Sequence, residues 1–123
     1  MSEKRARSTR QLLNYWRSSS SWRVRLALSF KGLEYEYKPI NLLKGEEGTP
    51  EYFAMNPAGV PTFIDDNGDI VTQSMAIMEY LEEKYPERPL LPRGFHERSQ
   101  VRSIALQIVS GVQPLQNLAV LNK

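Results

Sequence analysis

Cysteine is absent from all 123 residues of the chain. Without it the chain forms no disulfide, no thiolate metal site and no CxxC dithiol redox centre of its own. Any sulfur chemistry at this chain therefore uses a thiol that a ligand supplies.

Histidine is almost as scarce as cysteine. The one histidine, His96, stands in a polar stretch beside Glu97 and Arg98, and we predict that it is a surface residue and not a general base. No Ser-His-Asp arrangement can be assembled around it. We also predict that the chain has no metal site.

Long hydrophobic runs are missing too. No apolar stretch is long enough for a signal peptide or a membrane span, so we expect a cytoplasmic protein without a membrane partner. The formal net charge is only +2, and part of the excess lies in a polar tail with Lys4, Arg5, Arg7 and Arg10. This is a weak basis for nucleic-acid binding, so we predict a disordered tail over residues 1–11 and no nucleic-acid partner.

The most informative segment that is present is a cluster of four serines, residues 18–21. It follows the apolar and aromatic run 12–16, which predicts a strand. It precedes apolar residues at every fourth position (Trp22, Leu26, Phe30), which predict a helix. The unpaired N–H groups and positive dipole end of a helix start attract anions. The serines therefore either hold a thiolate, carboxylate or phosphate, or only cap the helix, which needs one hydroxyl.

The next part of the chain continues the alternation of elements. Gly32 is a typical C-terminal stop for the first helix. Residues 35–40 alternate aromatic rings and charges, which favours a half-exposed strand, and Pro39 indicates a sheet edge or a strand end. Residues 49–50 supply the cap and first-turn proline of a short helix that ends at Asn56.

A hairpin and a further helix follow. Residues 62–65 and 70–72 flank an Asn-Gly pair at 67–68, which is a strong hairpin signal. Ser74 is then expected to cap a helix over residues 75–85.

The last part of the chain differs in character. A proline-rich linker is predicted over residues 87–94. Beyond it, apolar residues at helical spacing predict an amphipathic helix: Val101, Ile104, Ala105, Ile108 and Val112. The order βαβαββα predicts a compact α/β domain over residues 12–86, followed by the start of an all-helical domain over 95–123.

Several segments together resemble the zeta class of glutathione transferases, a class that includes maleylacetoacetate isomerase. They are the serine-rich block 17–28, the run 56–62 around Val60-Pro61, the pair Gln73-Ser74, and the segments 90–92 and 113–118. The resemblance extends from about Leu12 to the end of the chain. It implies a thioredoxin-like N-terminal domain that binds glutathione, the first helix of an all-α C-terminal domain, and a homodimer.

The resemblance implies a catalytic role for the serine cluster. By position, Ser18 is the hydroxyl that donates to the glutathione sulfur, with Ser19 and Ser20 beside it. Lowering a thiol pKa by ~2 units requires ~2.7 kcal/mol of thiolate stabilisation. A helix start supplies about 0.3 to 1 kcal/mol and a hydrogen bond to a charged group about 1.5 to 3 kcal/mol. A serine donor and a helix start together therefore supply enough thiolate stabilisation, whereas neither contribution comfortably suffices alone.

Two further glutathione contacts are implied by the same resemblance. Pro61 is expected to follow a cis peptide bond, which leaves the N–H and C=O of Val60 to pair with the cysteinyl backbone of glutathione. Gln73 and Ser74 are expected to hold the γ-glutamyl carboxylate at a second helix start. A helix cap with no ligand is an equal alternative for Gln73-Ser74 on the residues alone.

Three more residues complete the implied glutathione site. Gln113 and Asn117 match positions that line the cleft from the second domain, although their helical spacing suits solvated residues equally well. Arg23 adds positive potential near an anionic tripeptide, as does its neighbour Arg25, although arginines at such positions are more commonly solvated.

The chain departs from the family pattern at two points. Ser20 stands where the family usually has cysteine, which puts cysteine-assisted activities in doubt and leaves the role of Ser18 untouched. The helical second domain is nearly absent after Lys123, so we expect either a fragment of a longer enzyme or a short form that acts with a partner.

The resemblance implies a glutathione-dependent transferase or cis-trans isomerase. The glutathione thiolate would add to a small electrophilic or dicarboxylate substrate. The alternative is a non-catalytic glutathione-binding or protein-interaction module, because the thioredoxin-like scaffold also serves without chemistry.

Overall fold

The computed structural model describes residues 10–40, 49–56 and 59–109. The chain divides into two compact units, residues 1–88 and 89–123. The described elements of the first unit follow one another as β1 (Gln11–Asn14), α1 (Ser19–Lys31), β2 (Glu36–Pro39), α2 (Pro50–Met55), β3 (Thr62–Ile64), β4 (Ile70–Thr72) and α3 (Ser74–Lys84). The predicted order βαβαββα is therefore confirmed.

The four strands form one mixed sheet in the order β2-β1-β3-β4. β1 pairs with β2 in parallel and with β3 antiparallel, and β3 pairs antiparallel with β4. β2 lies at the sheet edge, as its proline indicated. All four of its residues are exposed, so the expectation of a half-exposed strand is wrong.

Short-range signals end the elements where the sequence indicated. Gly32 caps α1 in the left-handed conformation, with φ of +70°, which a residue without Cβ adopts at little cost. The Thr49 side chain accepts a hydrogen bond from the N–H of Tyr52 at the start of α2.

The core of the first unit lies between the sheet and the helices α1 and α3. Its fully buried apolar residues come from all three components: Leu12, Val24, Leu28, Phe63, Ile77 and Leu81. The buried face of α1 does not follow the apolar residues that recur at every fourth position. Trp22, Leu26 and Phe30 are 57%, 53% and 52% exposed, whereas Ser21, Val24, Ala27, Leu28 and Lys31 are buried.

The N-terminal boundary of the fold also differs from the expectation. Gln11 begins β1, and the Arg10 side chain donates to the carbonyl of Glu34 at 3.0 Å. Both residues therefore belong to the folded unit and not to a disordered tail.

The second unit contains α4 (Phe95–Gln107), and none of the residues of this helix is buried. Val101, Ile104 and Ile108 of the predicted apolar stripe are exposed, as is His96. Val112, Gln113 and Asn117 lie outside the described residues.

Candidate functional site

The register of the sheet brings three chain segments together at one end of the strands. Leu13 near the end of β1 pairs with Thr62 at the start of β3, and Thr62 also pairs with Thr72 at the end of β4. Three segments therefore meet at the same end of the strands: the turn into α1, the Val60-Pro61 segment and the turn into α3. The predicted site residues of the first unit, Ser18–Ser20, Val60 and Gln73-Ser74, are placed on these three segments.

The serine cluster divides into residues with different roles. Ser18 is the N-cap of α1, and its Oγ accepts a hydrogen bond from the N–H of Ser21 at 3.1 Å. Because a hydroxyl accepts and donates at once, this cap leaves the Ser18 proton available for a ligand. Ser21 is buried, and its Oγ accepts from the N–H of Tyr15 at 3.4 Å, so it supports the turn from inside.

Arg25 holds the outer side of the same turn. Its guanidinium donates to Oδ1 of the buried Asn14 and to the carbonyl of Trp16 at 3.1 Å, and it lies 5.9 Å from the ring centre of Tyr37. Arg25 therefore supports the loop that precedes Ser18. Sequence reasoning left it as a surface charge because none of these acceptors lies at helical spacing.

The Val60–Pro61 peptide bond is cis, which confirms the expectation. Within the described residues, no hydrogen bond involves the backbone N–H or C=O of Val60. The neighbouring positions are held by α2. Tyr52 donates through its hydroxyl to the carbonyl of Gly59 at 2.6 Å, and the Asn56 side chain donates to the carbonyl of Pro61 at 3.1 Å.

Tyr52 and Asn56 also share a buried acceptor. The Tyr52 hydroxyl lies 2.8 Å from Thr62 Oγ1, and Asn56 Nδ2 donates to the same oxygen at 2.9 Å. These contacts fix the segment on both sides of Val60 to α2. The sequence marked Asn56 as a helix end and as the first residue of the run 56–62, and it gave no signal for the Tyr52 hydroxyl.

Gln73 and Ser74 differ from the simple cap that the sequence indicated. Gln73 is the N-cap of α3, without a side-chain cap hydrogen bond, and its φ of +75° lies in the region that favours glycine. Such a conformation costs of order 1–3 kcal/mol and clusters at functional sites. Ser74 is the first helical residue, so the expectation that it caps α3 is wrong.

Arg23 connects the two helix starts. Its Nε donates to Ser74 Oγ at 2.9 Å, and its Nη2 donates to Ser20 Oγ at 3.2 Å. Burial lowers the pKa of Arg23 from its ordinary value, yet arginine stays charged at neutral pH. One cation therefore serves a hydroxyl at the start of α1 and a hydroxyl at the start of α3.

A second polar cluster lies at the opposite end of the strands, where β3 ends. The buried carboxylate of Asp65 accepts from Tyr80 (2.5 Å), Lys84 (2.8 Å) and Tyr85 (2.8 Å), and Arg10 Nε lies 3.6 Å away. Burial raises the pKa of Asp65, but the hydrogen bonds from Lys84 and Tyr80 outweigh it and hold the pKa well below its usual range. A carboxylate that is charged at neutral pH and accepts from several donors stabilises the fold and is a poor proton carrier there.

The part of the chain that the structure describes has neither a cluster of metal-ligating side chains nor a membrane-spanning helix. No group of three or more potential metal-ligating side chains occurs there. None of the helices there has the length and hydrophobicity needed to cross a membrane.

Comparison with known proteins identifies the fold. A family model for the N-terminal domain of glutathione S-transferase matches residues 8–83. A bacterial maleyl pyruvate isomerase of the zeta class superposes with a TM-score of 0.85 and 39% identity, over 91% of this chain and 53% of that one. Maleylacetoacetate isomerase of Anaeromyxobacter dehalogenans 2CP-1 with bound glutathione has a TM-score of 0.78 and 46% identity, over 94% and 55%. The expected thioredoxin-like glutathione transferase fold is confirmed.

Sequence relatives agree with the structural ones. A zeta-class glutathione S-transferase of Euphorbia esula is 53% identical over 112 residues, which are 91% of this chain and 50% of the relative. Maleylacetoacetate isomerase of Dictyostelium discoideum is 51% identical over 112 residues, 89% of this chain and 51% of the relative. The chain thus spans about half the length of the curated relatives that it matches. By the match of its residues 8–83 and by these similarities, the chain belongs to the glutathione S-transferase family and resembles the zeta class of that family.

Proposed function

We propose that the chain binds glutathione and acts in a glutathione-dependent cis-trans isomerisation or transfer of the zeta type. The observation that carries the proposal is the convergence of two helix starts. The starts of α1 and α3 follow strands that end at the same end of the sheet, and the Arg23 guanidinium links them. Two neighbouring anion-attracting sites suit a peptide that carries both a thiolate and a carboxylate.

In this proposal Ser18 activates the thiol. Its Oγ already accepts the N–H of Ser21, so the remaining hydroxyl proton is the group that can donate to sulfur. This hydrogen bond is worth about 1.5 to 3 kcal/mol when the acceptor is charged. The α1 dipole adds about 0.3 to 1 kcal/mol, and together they lower the thiol pKa by roughly 1.3 to 3 units.

The rest of the glutathione peptide extends from Ser18 past Val60 to Ser74, across the same end of the strands. The backbone of Val60 pairs with the cysteinyl residue, and the γ-glutamyl carboxylate lies at Ser74 with the Gln73 side chain alongside. Gln113 and Asn117 remain predicted contacts outside the described residues. The homodimer and the cytoplasmic location also stay predictions.

The chemistry requires a substrate with a conjugated double bond. The thiolate adds to one alkene carbon, the former double bond becomes a single bond, and the charge moves to the conjugated carbonyl. Rotation about that single bond, followed by expulsion of the thiolate, restores the double bond in the trans geometry. Glutathione is thereby regenerated, and no oxidant or reductant is consumed.

Similar proteins support a dicarboxylate as the substrate class. The relatives are named for maleylacetoacetate and maleyl pyruvate, and one similar isomerase was solved with malonate and glutathione. We therefore propose a cis dicarboxylate with a conjugated carbonyl as the substrate.

Calorimetric titration of the chain with glutathione tests the binding step. We expect saturable binding below millimolar concentration, and weaker binding of cysteinylglycine, which lacks the γ-glutamyl group. No heat at millimolar glutathione would contradict the proposal. Binding without turnover of maleylacetoacetate or maleyl pyruvate by the complete native protein would instead favour the non-catalytic binding module.

A further inference from the structure

We propose that Arg23 is a positioning residue that fixes the direction in which the Ser20 and Ser74 hydroxyls donate, and so couples the two ends of the glutathione site. The inference rests on the proposed function and deepens it. The observation behind it is the shared guanidinium, which reaches from α1 to a serine 51 residues further along the chain.

The hydrogen-bond inventory of a serine explains the effect. A hydroxyl has one proton to donate and two lone pairs that accept. A guanidinium only donates, so a hydroxyl bound to it has to accept, and its own proton points away from the arginine. Both serines are therefore held as donors at the helix starts, where the backbone N–H groups also donate.

This arrangement selects the chemical class of the ligand groups. Helix starts that present N–H and hydroxyl donors favour groups that accept only, namely a thiolate over a thiol and an ionised carboxylate over an amide. Lysine does not replace arginine in this role, because Arg23 reaches the two serines from different nitrogens, Nε and Nη2, whereas all donors of lysine lie on one nitrogen.

The partial burial of Arg23 strengthens its influence on both serines. The side chain is only partly exposed, and burial lowers its pKa, so water screens the charge less than at a free surface. Ser74 is itself buried, so little water competes with Arg23 for its hydroxyl. Loss of the Arg23 contact would leave this hydroxyl free to rotate.

The coupling is testable because two groups that share a partner behave non-additively. Ser20→Ala, Ser74→Ala and the double variant should be compared in the native background and in the Arg23→Lys background. The readouts are the dissociation constant of glutathione and the pKa of the bound thiol, from thiolate absorbance across a pH series. A purely structural role of Arg23 would not move the thiol pKa.

In the native background we expect the effects of the two serine changes on glutathione affinity to deviate from additivity by threefold or more. Arg23→Lys should abolish this deviation, weaken glutathione binding about tenfold and raise the bound thiol pKa by about half a unit, which is about threefold in thiolate population below the pKa. Arg88→Lys is the matched control. Its Nη1 donates to the Phe30 carbonyl at the far end of α1, and the change should leave both readouts unaltered.

The outcomes separate this inference from the proposed function. If the native chain binds glutathione and lowers its thiol pKa, but Arg23→Lys matches it in both readouts or the serine effects add, the role of Arg23 is overturned and the proposed function stands. If the native chain does not bind glutathione, both are overturned. If Arg23→Lys unfolds the chain, additive effects of the two serine variants in the native background would still overturn the coupling.

Discussion

Lys31 and Glu82 form an ion pair, with Nζ 3.1 Å from Oε1, that joins the C-terminal parts of α1 and α3. The lysine side chain is 1% exposed, and its ammonium also donates to the carbonyls of Tyr85 and Arg88, each at 2.9 Å. All three of its N–H donors therefore have acceptors. The pair fixes the two helices at the end remote from the candidate site.

Removal of the lysine charge should be strongly destabilising. Lys31→Met keeps the apolar stem but removes the buried ammonium that Glu82 and two carbonyls share, so we expect a loss of about 3 to 5 kcal/mol in the free energy of unfolding. Urea denaturation measures it. Lys38→Met is the control, because Lys38 pairs with Glu36 on the surface and its loss should cost less than about 1 kcal/mol. Equal losses would show that the buried pair contributes no more than a surface pair.

Asp65 should give the fold an acid-sensitive component. Its pKa is held far below normal by hydrogen bonds from Lys84 and Tyr80, which outweigh the effect of burial. A lowered pKa in the folded state stabilises the protein above the ordinary Asp pKa of about 4. This stabilisation is lost as the pH falls below that value, towards the lowered pKa, because the unfolded chain then binds more protons.

Asp65→Asn tests this component. At neutral pH we expect a loss of about 2 to 3 kcal/mol in unfolding free energy, together with a flatter stability profile between about pH 5 and pH 2. Asp69→Asn removes the same charge from an exposed turn position and should leave the profile unchanged. An acid profile of Asp65→Asn identical to that of the native chain would refute the assignment.

Gln73 should trade stability for binding. Its φ of +75° is strained for any residue with a Cβ, so Gln73→Gly should stabilise the fold by about 1 kcal/mol, after the entropy that glycine costs. Gln73→Ala removes the same side chain but keeps the strain and should give no gain. Both variants should bind glutathione more weakly if the amide holds the γ-glutamyl group. Equal unfolding free energies of the Gly and Ala variants would argue against backbone strain.

The secondary structure could be predicted because its signals are local. Gly32, the Thr49-Pro50 pair and the Asn67-Gly68 turn act through backbone conformations within a few residues. The buried face of α1 could not be predicted in the same way. The buried face includes the polar residues Ser21 and Lys31, whose burial depends on partners elsewhere in the fold. Trp22, Leu26 and Phe30 have the spacing typical of core residues but are exposed.

The meeting of the three candidate segments could be expected from the sequence, but the side-chain contacts between them could not. The resemblance indicated Ser18, Val60 and Ser74, and the sheet register brings their segments to one end of the strands. The contact of Arg23 with Ser74 joins residues 51 positions apart. No periodicity or motif reports which of many arginines will reach a given hydroxyl, since tertiary packing decides it.

Ser18 and Ser20 should differ sharply in their effect on the thiol. Ser18→Ala removes the hydroxyl that we propose donates to sulfur, at a cost of about 1.5 to 3 kcal/mol, which is roughly tenfold to over a hundredfold in rate if the whole effect reaches the transition state. Ser20 accepts from Arg23 and is not the proposed donor to sulfur, so Ser20→Ala should lower turnover much less. Turnover and bound-thiol pKa of the complete native protein measure both effects.

Because Ser18 is also the N-cap of α1, its removal has a structural cost that has to be separated. Ala at this position should lower the unfolding free energy by about 1 kcal/mol, whereas Gly costs only a few tenths. Ser18→Gly therefore removes the hydroxyl while largely preserving the helix start, and its thiol pKa should rise as far as that of Ser18→Ala. If both Ser18 variants kept the native thiol pKa and rate while Ser20→Ala abolished them, the catalytic hydroxyl would be Ser20.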